Sequence, residues 1–134
     1  MSRETIAEAK AELYGLLWDQ EAPTFTVDGL DAQEIHVYRN ERRPGTMQGP
    51  VALTIFTAEI QPTEWVLAVR IYVTLGKFDE EYAQDMLDLL IPAVGEQIGS
   101  TGAFAPDSWG IAWDETFDAF VATNLLNVVR EDGF

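Results

Sequence analysis

Two neighbouring stretches of alternating apolar residues constrain the fold of this chain more than any other feature. In residues 65–75 every odd position is apolar: Trp65, Leu67, Val69, Ile71, Val73 and Leu75. Residues 51–60 also alternate, but with apolar side chains at both parities. The four residues between the two stretches, 61–64, are typical of a turn. The pattern therefore predicts a long antiparallel hairpin over 51–75 whose face packs on a core, with a second covered surface on its first strand.

Helical periodicity lies on both sides of this hairpin. Residues 3–19 carry an apolar stripe at helical spacing, with Ser2 as the expected N-cap. Residues 79–98 carry a second stripe, with Asp79 as the cap and two glutamates in the first turn. Pro92 lies inside the second stripe, and we expect it to kink or restart the helix because it lacks an amide donor.

Shorter patterns complete the order of elements. Short strands are predicted near 24–27 and 35–38, and the aperiodic residues 39–50 are interpreted as a mobile loop. Residues 109–130 predict two strands around an acidic turn, the last of them central or covered because both of its faces are apolar. The order predicts one α+β domain over 1–134: a mixed or antiparallel sheet with a long β-hairpin, packed against two helices on one face.

Composition excludes several classes of function. The 134 residues include 23 acidic and 8 basic side chains, which gives a net charge of −15. Such a charge disfavours general binding to nucleic-acid phosphates and binding to an anionic membrane, so we expect neither a sequence-specific nucleic-acid partner nor a membrane partner. The chain has no cysteine and one histidine, so thiolate chemistry and a multi-histidine metal site are excluded. We expect no transmembrane segment and no signal peptide, since no apolar run reaches about 18 residues.

The search for catalytic groups yields little. His36 alternates with apolar neighbours in a predicted strand, which is more typical of a sheet position than of a general base. The carboxylates of residues 79–88 and 114–118 have helix and turn spacing, without the alternating oxygen ligands and central glycine of a calcium loop. We predict no enzyme activity, no cofactor and no metal. A ligand pocket could draw only on His36, Tyr38 and Tyr72.

The charge is unevenly distributed along the chain, and this points to interfaces. Residues 76–134 hold twelve acidic and two basic side chains, whereas the hairpin is close to neutral. Three arginines fall together in the predicted loop and its start. The candidate interface residues are these three, one hairpin arginine and one of four tryptophans that could anchor a contact: Arg39, Arg42, Arg43, Arg70 and Trp65.

The chain resembles the tail terminator proteins of long flexible-tailed bacteriophages. The resemblance rests on residues 49–51 leading into the hairpin, on the strand that runs into the acidic helix start 78–82, on the proline-interrupted helix segment 89–94, and on an acidic turn feeding a long strand over 114–130. It covers nearly the whole chain as an order of elements, without one specific motif.

The resemblance implies a structural virion protein without catalytic residues. Such a protein forms a ring, expected to be a homo-hexamer, on the end of the tail tube, stops tube polymerisation and presents a face to the head-completion or connector protein. DNA would pass through an acidic lumen. The expected location is the head–tail interface of the virion, with assembly in the host cytoplasm.

Two other readings of the sequence stay open beside the pocket reading. One is a related head–tail joining or tail-completion protein. The other is an acidic inhibitor that imitates DNA and blocks a host enzyme, which the net charge and the lack of catalytic residues would also fit. The near-neutral hairpin is unlike the strip of acids that such mimics usually carry.

Overall fold

The computed structural model describes residues 5–17, 24–25, 35–39, 51–62, 64–74, 80–100, 104, 106 and 108–129. Within these residues the chain forms two helices and six strands. In chain order they are α1 (Ile6–Leu17), β1 (Thr24–Phe25), β2 (Ile35–Arg39), β3 (Val51–Ile60), β4 (Glu64–Thr74), α2 (Glu80–Gly99), β5 (Gly110–Asp114) and β6 (Ala119–Val129).

The strands form one mixed sheet in the order β1-β2-β3-β4-β6-β5. β2 and β3 run parallel, and the other neighbouring pairs are antiparallel. β6 lies between β4 and β5, which agrees with the prediction that the last strand is central or covered by a neighbour. The α+β class is also confirmed.

The predicted hairpin is formed by β3 and β4. Its register runs from the pair Val51 and Val73 to the pair Ile60 and Trp65, with a bulge between Thr57 and Glu59. The turn is closed by the Gln61 N–H, which donates to the Glu64 carbonyl at 2.9 Å. The bulge inserts one extra residue, so that the parity of the side chains changes near the turn.

The main core lies between the sheet and both helices, so the two helices share one face. Its sheet side consists of the odd positions of β3 and β4 and the even positions of β6. For β3 and β4, this confirms the prediction that one face of the hairpin packs on a core. The largest fully buried members include Leu13, Leu17, Leu53, Ile55, Leu67, Ile71, Leu90, Ile98 and Leu126. Each such side chain contributes about 1.5–3 kcal/mol by leaving water.

The opposite face of the hairpin is buried as well. Ala52, Phe56, Ala68 and Tyr72 all lie on it and are at most 7% exposed. A second apolar cluster forms there, in which the Phe117 ring meets the Tyr72 ring edge-on at 6.3 Å between centroids. The apolar residues at both parities of 51–60 predicted this second covered surface.

The start of α1 differs from the expectation. The helix begins at Ile6 rather than at residue 3, and the Glu8 N–H donates to Thr5 Oγ1 at 3.1 Å. Thr5 is therefore the N-cap, and the prediction of Ser2 was wrong. The residues Thr5 and Glu8 have the spacing of a capping box, which is the sequence signal for this cap.

α2 continues through Pro92 as one helix, so it does not restart there. The amide that Pro92 lacks would have bonded to the carbonyl of Asp88, one turn earlier. Pro92 and Asp88 both lie on the exposed side of the helix. Water can therefore solvate the orphaned carbonyl, which lowers the cost of the proline. In the described part of the chain, no helix is long and apolar enough to cross a membrane.

Candidate functional site

Trp65 and Arg70, the two candidate interface residues on β4, lie on opposite faces of the sheet. Trp65 is 6% exposed and packs in the main core below the helices. Arg70 lies at the middle of the strand on the face away from the helices, in register with Thr54 of β3 and Thr123 of β6. In the isolated chain Trp65 therefore acts as a core residue, whereas Arg70 reaches the surface.

The Arg70 side chain is held by an aromatic ring. Its guanidinium carbon lies 4.8 Å from the centroid of the Phe56 ring, a cation–π distance. Arg70 is half-buried, and its Nε is enclosed by protein atoms. The contact with Phe56 restricts the position of the guanidinium, and a guanidinium held in place can bind a carboxylate or phosphate through two parallel hydrogen bonds.

A small concavity of about 160 Å³ adjoins this arginine. It lies across β4, β6 and β5 and is lined by Arg70, Tyr72, Ala112, Trp113, Asp114, Val121 and Thr123. The volume suits one side chain of a partner rather than a metabolite. The concavity combines one cation and one carboxylate, so it presents polar groups of both signs at the edge of the sheet.

The other candidate arginines are only partly placed. Arg39 is the last residue of β2 and is in register with Ile55 of β3. Arg42 and Arg43 lie outside the described residues, so the prediction that residues 39–50 contact a neighbouring subunit stays a prediction.

The structure does not bring a catalytic set together in the part of the chain that it describes. His36 and Tyr38 lie on β2, in register with Ala52 and Thr54. Tyr72, the third candidate for a pocket, is 1% exposed and belongs to the second apolar cluster. No group of three or more His, Asp or Glu side chains among the described residues could hold a metal ion.

The exposed face of α2 is strongly acidic. Glu80, Glu81, Asp85 and Asp88 are all exposed and, with Gln84, line an open concavity of about 640 Å³. Most apolar residues of the same helix face the core, with Leu89 as an exception that is 48% exposed. This face therefore repels anions, as the clustering of negative charge in residues 76–134 predicted.

The edge strand β5 is a feature that the sequence interpretation missed. Its first four residues are exposed, and Ile111 and Trp113 lie on the same face as α2, 57% and 43% exposed. The Trp113 ring packs edge-on against Phe120 at 5.2 Å, which fixes its position. The sequence pattern of 109–113 predicts a strand. It does not predict that this strand lies at the edge of the sheet, since five apolar residues are compatible with an edge or a central position.

A tight turn holds β5 against β6. Asp114 Oδ1 accepts hydrogen bonds from the N–H groups of Thr116 at 2.9 Å and Phe117 at 3.4 Å. Asp118, the last turn residue, has a φ of 48°, in the left-handed region that Asp and Asn tolerate better than most residues. The predicted acidic turn at 114–115 therefore stabilises the connection between β5 and β6 and helps to set the register between them.

No protein-family model matches this chain, and no curated protein sequence matches it at a significant level.

Proposed function

We propose that this chain is the tail terminator of a long-tailed bacteriophage, a structural protein that caps the tail tube as a ring and presents the attachment face for the head. The observation that carries the proposal is the order and packing of its elements. The resemblance rests on a helix, a long hairpin, an acidic helix that contains a proline, and a closing strand pair. These elements pack as one α+β unit.

The distribution of charge supports the same proposal. The acidic face of α2 and the acidic β5–β6 turn would repel DNA phosphates if they faced a central channel. DNA could then pass through the ring without adhering to it. Each protomer carries −15, so that copies in a ring repel one another and added salt should favour assembly by screening.

Arg70 is the described residue best suited to a contact between subunits in this ring. Its guanidinium is oriented by Phe56 beside a concavity of side-chain size. Among the side chains that the structure describes, acidic groups outnumber basic ones twelve to two, so an arginine at the surface meets a complementary group on almost any neighbouring acidic face. The partners of the ring would be further copies of the chain, the tube protein and a head-completion protein.

The test is a tube-capping experiment. Tube protein from the genome that encodes this chain is polymerised with and without the purified chain, and tube lengths are measured by negative-stain electron microscopy. The proposal expects short tubes with a ring at one end, with more capping at high salt. Tubes of unchanged length with bare ends at every salt concentration would contradict it.

An arginine variant sharpens this experiment. Arg70→Gln removes the charge at the concavity, and we expect a loss of capping of about tenfold, which corresponds to roughly 1.4 kcal/mol. Lys10→Gln is the matched control, since it removes a positive charge from α1, and it should cap normally. Melting temperatures of both variants show whether the fold is intact. Equal capping by both variants would contradict the role of Arg70.

A second candidate function is favoured by the acidic face of α2. Glu81 and Asp85 are exposed and one helical turn apart, about 6 Å along the axis, so this face presents a row of negative charges, as a DNA strand does. An inhibitor that imitates DNA would compete with DNA for a host enzyme. In a pull-down from host extract, nucleic-acid enzymes that DNA displaces would support this second function over the first.

A further inference from the structure

The outer edge of β5 offers backbone groups for pairing with another strand. In the sheet order β5 is terminal, and within the described residues it pairs with β6 alone. Natural edge strands are usually protected by lysine, proline or a bulge. β5 has neither lysine nor proline, its register with β6 has no bulge, and its single charge is Asp114 at its end.

We propose that two copies of this chain pair through β5 in solution, antiparallel about a twofold axis at Ala112. In this register, residue numbers of facing positions add to a constant, so Ile111 faces Trp113 of the second copy and Gly110 faces Asp114. The two sheets become one continuous sheet. The strand is complementary to itself in this arrangement, which is the requirement for a twofold contact.

The apolar face of the strand supports this pairing. Ile111 and Trp113 are exposed on the same face, and each would be covered by the other residue type from the second copy. A β-branched residue opposite an aromatic residue is a favourable cross-strand pair. The twofold axis makes this contact occur twice. Within each chain, the edge-on contact with Phe120 restricts the position of the Trp113 ring before the second copy binds.

The local charges of β5 are compatible with a second copy as the occupant, while the net charge of −15 on each chain opposes the contact. The register places no acid opposite an acid, because Asp114 faces Gly110. Arg70 on β4, Thr123 on β6 and Gly110 on β5 are in register across the sheet. Asp114 of the second copy would be the next residue in this row, three strand spacings or roughly 14 Å from Arg70. A Cβ placed on Gly110 would meet no atom within 4 Å, so space above this row is open.

This inference goes beyond the proposed function. A twofold contact closes on itself and does not build a ring, whereas a capping ring needs a head-to-tail contact. The dimer is measured on the free chain without tube protein, and capping is measured on tubes. Failure of one proposal is therefore distinguishable from failure of the other.

The decisive experiment uses the absence of cysteine. Ala112→Cys places the only two thiols of the dimer opposite each other, with Cα atoms about 4.5–5.5 Å apart, within the range of a disulfide. We expect rapid oxidation to a covalent dimer of two 15.0 kDa chains. Ile60→Cys, at an exposed position on the hairpin tip, is the control and should stay monomeric under the same conditions.

A second pair of variants tests the register. Ile111→Cys mixed with Trp113→Cys should give the mixed dimer faster than either variant forms a dimer alone. Preferential oxidation of Ile111→Cys with itself would indicate another register and overturn the proposed axis. Equal oxidation of Ala112→Cys and Ile60→Cys would show random collision and overturn the contact.

Light scattering provides the measurement without a covalent bond. A dimer fraction should grow over roughly 5–500 µM and should grow further with salt, because two chains of like charge repel. Ile111→Lys should weaken it about tenfold, and Ile60→Lys should leave it unchanged. A monomer at every concentration and salt would overturn the proposal, and loss of tube binding by monomeric Ile111→Lys would assign β5 to the tube protein instead.

Discussion

Ile71 and Ile111 are the same residue type on the same face of the sheet, and both are in register with Ala122, yet they lie in opposite environments. Ile71 is fully buried, whereas Ile111 is 57% exposed. β4 has a strand on each side and contacts α2, while β5 has a strand on one side. The comparison teaches that strand order, rather than the apolar pattern of each strand, decides which side chains join the core.

The largest expected effect separates these two isoleucines. Ile71→Ala leaves a cavity in the main core and should lower the free energy of unfolding by about 3 kcal/mol. Ile111→Ala removes a side chain that is mostly in water and should change it by less than about 0.5 kcal/mol at a concentration where the chain is monomeric. Urea unfolding of the two variants measures both values. Equal losses would break the comparison, since they would place β5 in the core.

A smaller effect is expected at the turn that positions β5. Asp118→Val puts a β-branched residue at a φ of 48° and should destabilise the fold by about 1–2 kcal/mol. Asp118→Gly relieves the backbone requirement and should stay within about 0.5 kcal/mol of the parent. Thermal melting of the pair measures the difference. A Val variant as stable as the Gly variant would show that the turn does not constrain the strand.

The smallest effect sharpens how the edge strand is held. Asp114→Ala removes the acceptor for two backbone N–H groups and should cost about 1 kcal/mol. Glu115→Ala changes the exposed neighbouring acid and should have an effect near zero, about 0–0.3 kcal/mol. Chemical unfolding gives the stability, and hydrogen exchange of the β5 amides should accelerate only in the Asp114 variant. Acceleration in both variants would indicate a general effect of charge.

The parts of the fold that depend on local pattern could be predicted from the sequence. The odd positions from Trp65 to Val73 fall on the core face because alternation has a fixed period, and the two helices pack on that face because their apolar stripes require a partner. The cap at Thr5 also has a sequence signal, since Thr5 and Glu8 have the spacing of a capping box and the Glu8 N–H donates to the Thr5 hydroxyl.

The parts that depend on which strands meet could not be predicted. Nothing in residues 35–39 indicates a parallel pairing with β3. The apolar faces of β6 indicate a central or covered strand, but they do not indicate that its neighbours are β4 and β5. These choices depend on contacts between distant residues, which a single sequence does not report. Arg70 could be proposed as an interface residue from its residue type alone. The exposure of Ile111 could not be predicted, because it depends on the position of β5 at the edge of the sheet.

The central position of β6 has a consequence for synthesis. β4 ends at Thr74, but its second neighbour begins at Ala119, so one edge of this largely apolar strand has no partner while the ribosome adds the residues between them. During that interval the nascent chain exposes a long apolar edge of the kind that aggregates. A chaperone that covers this edge would raise the yield of folded protein, and a chain cut short before residue 119 would be expected to accumulate as insoluble material.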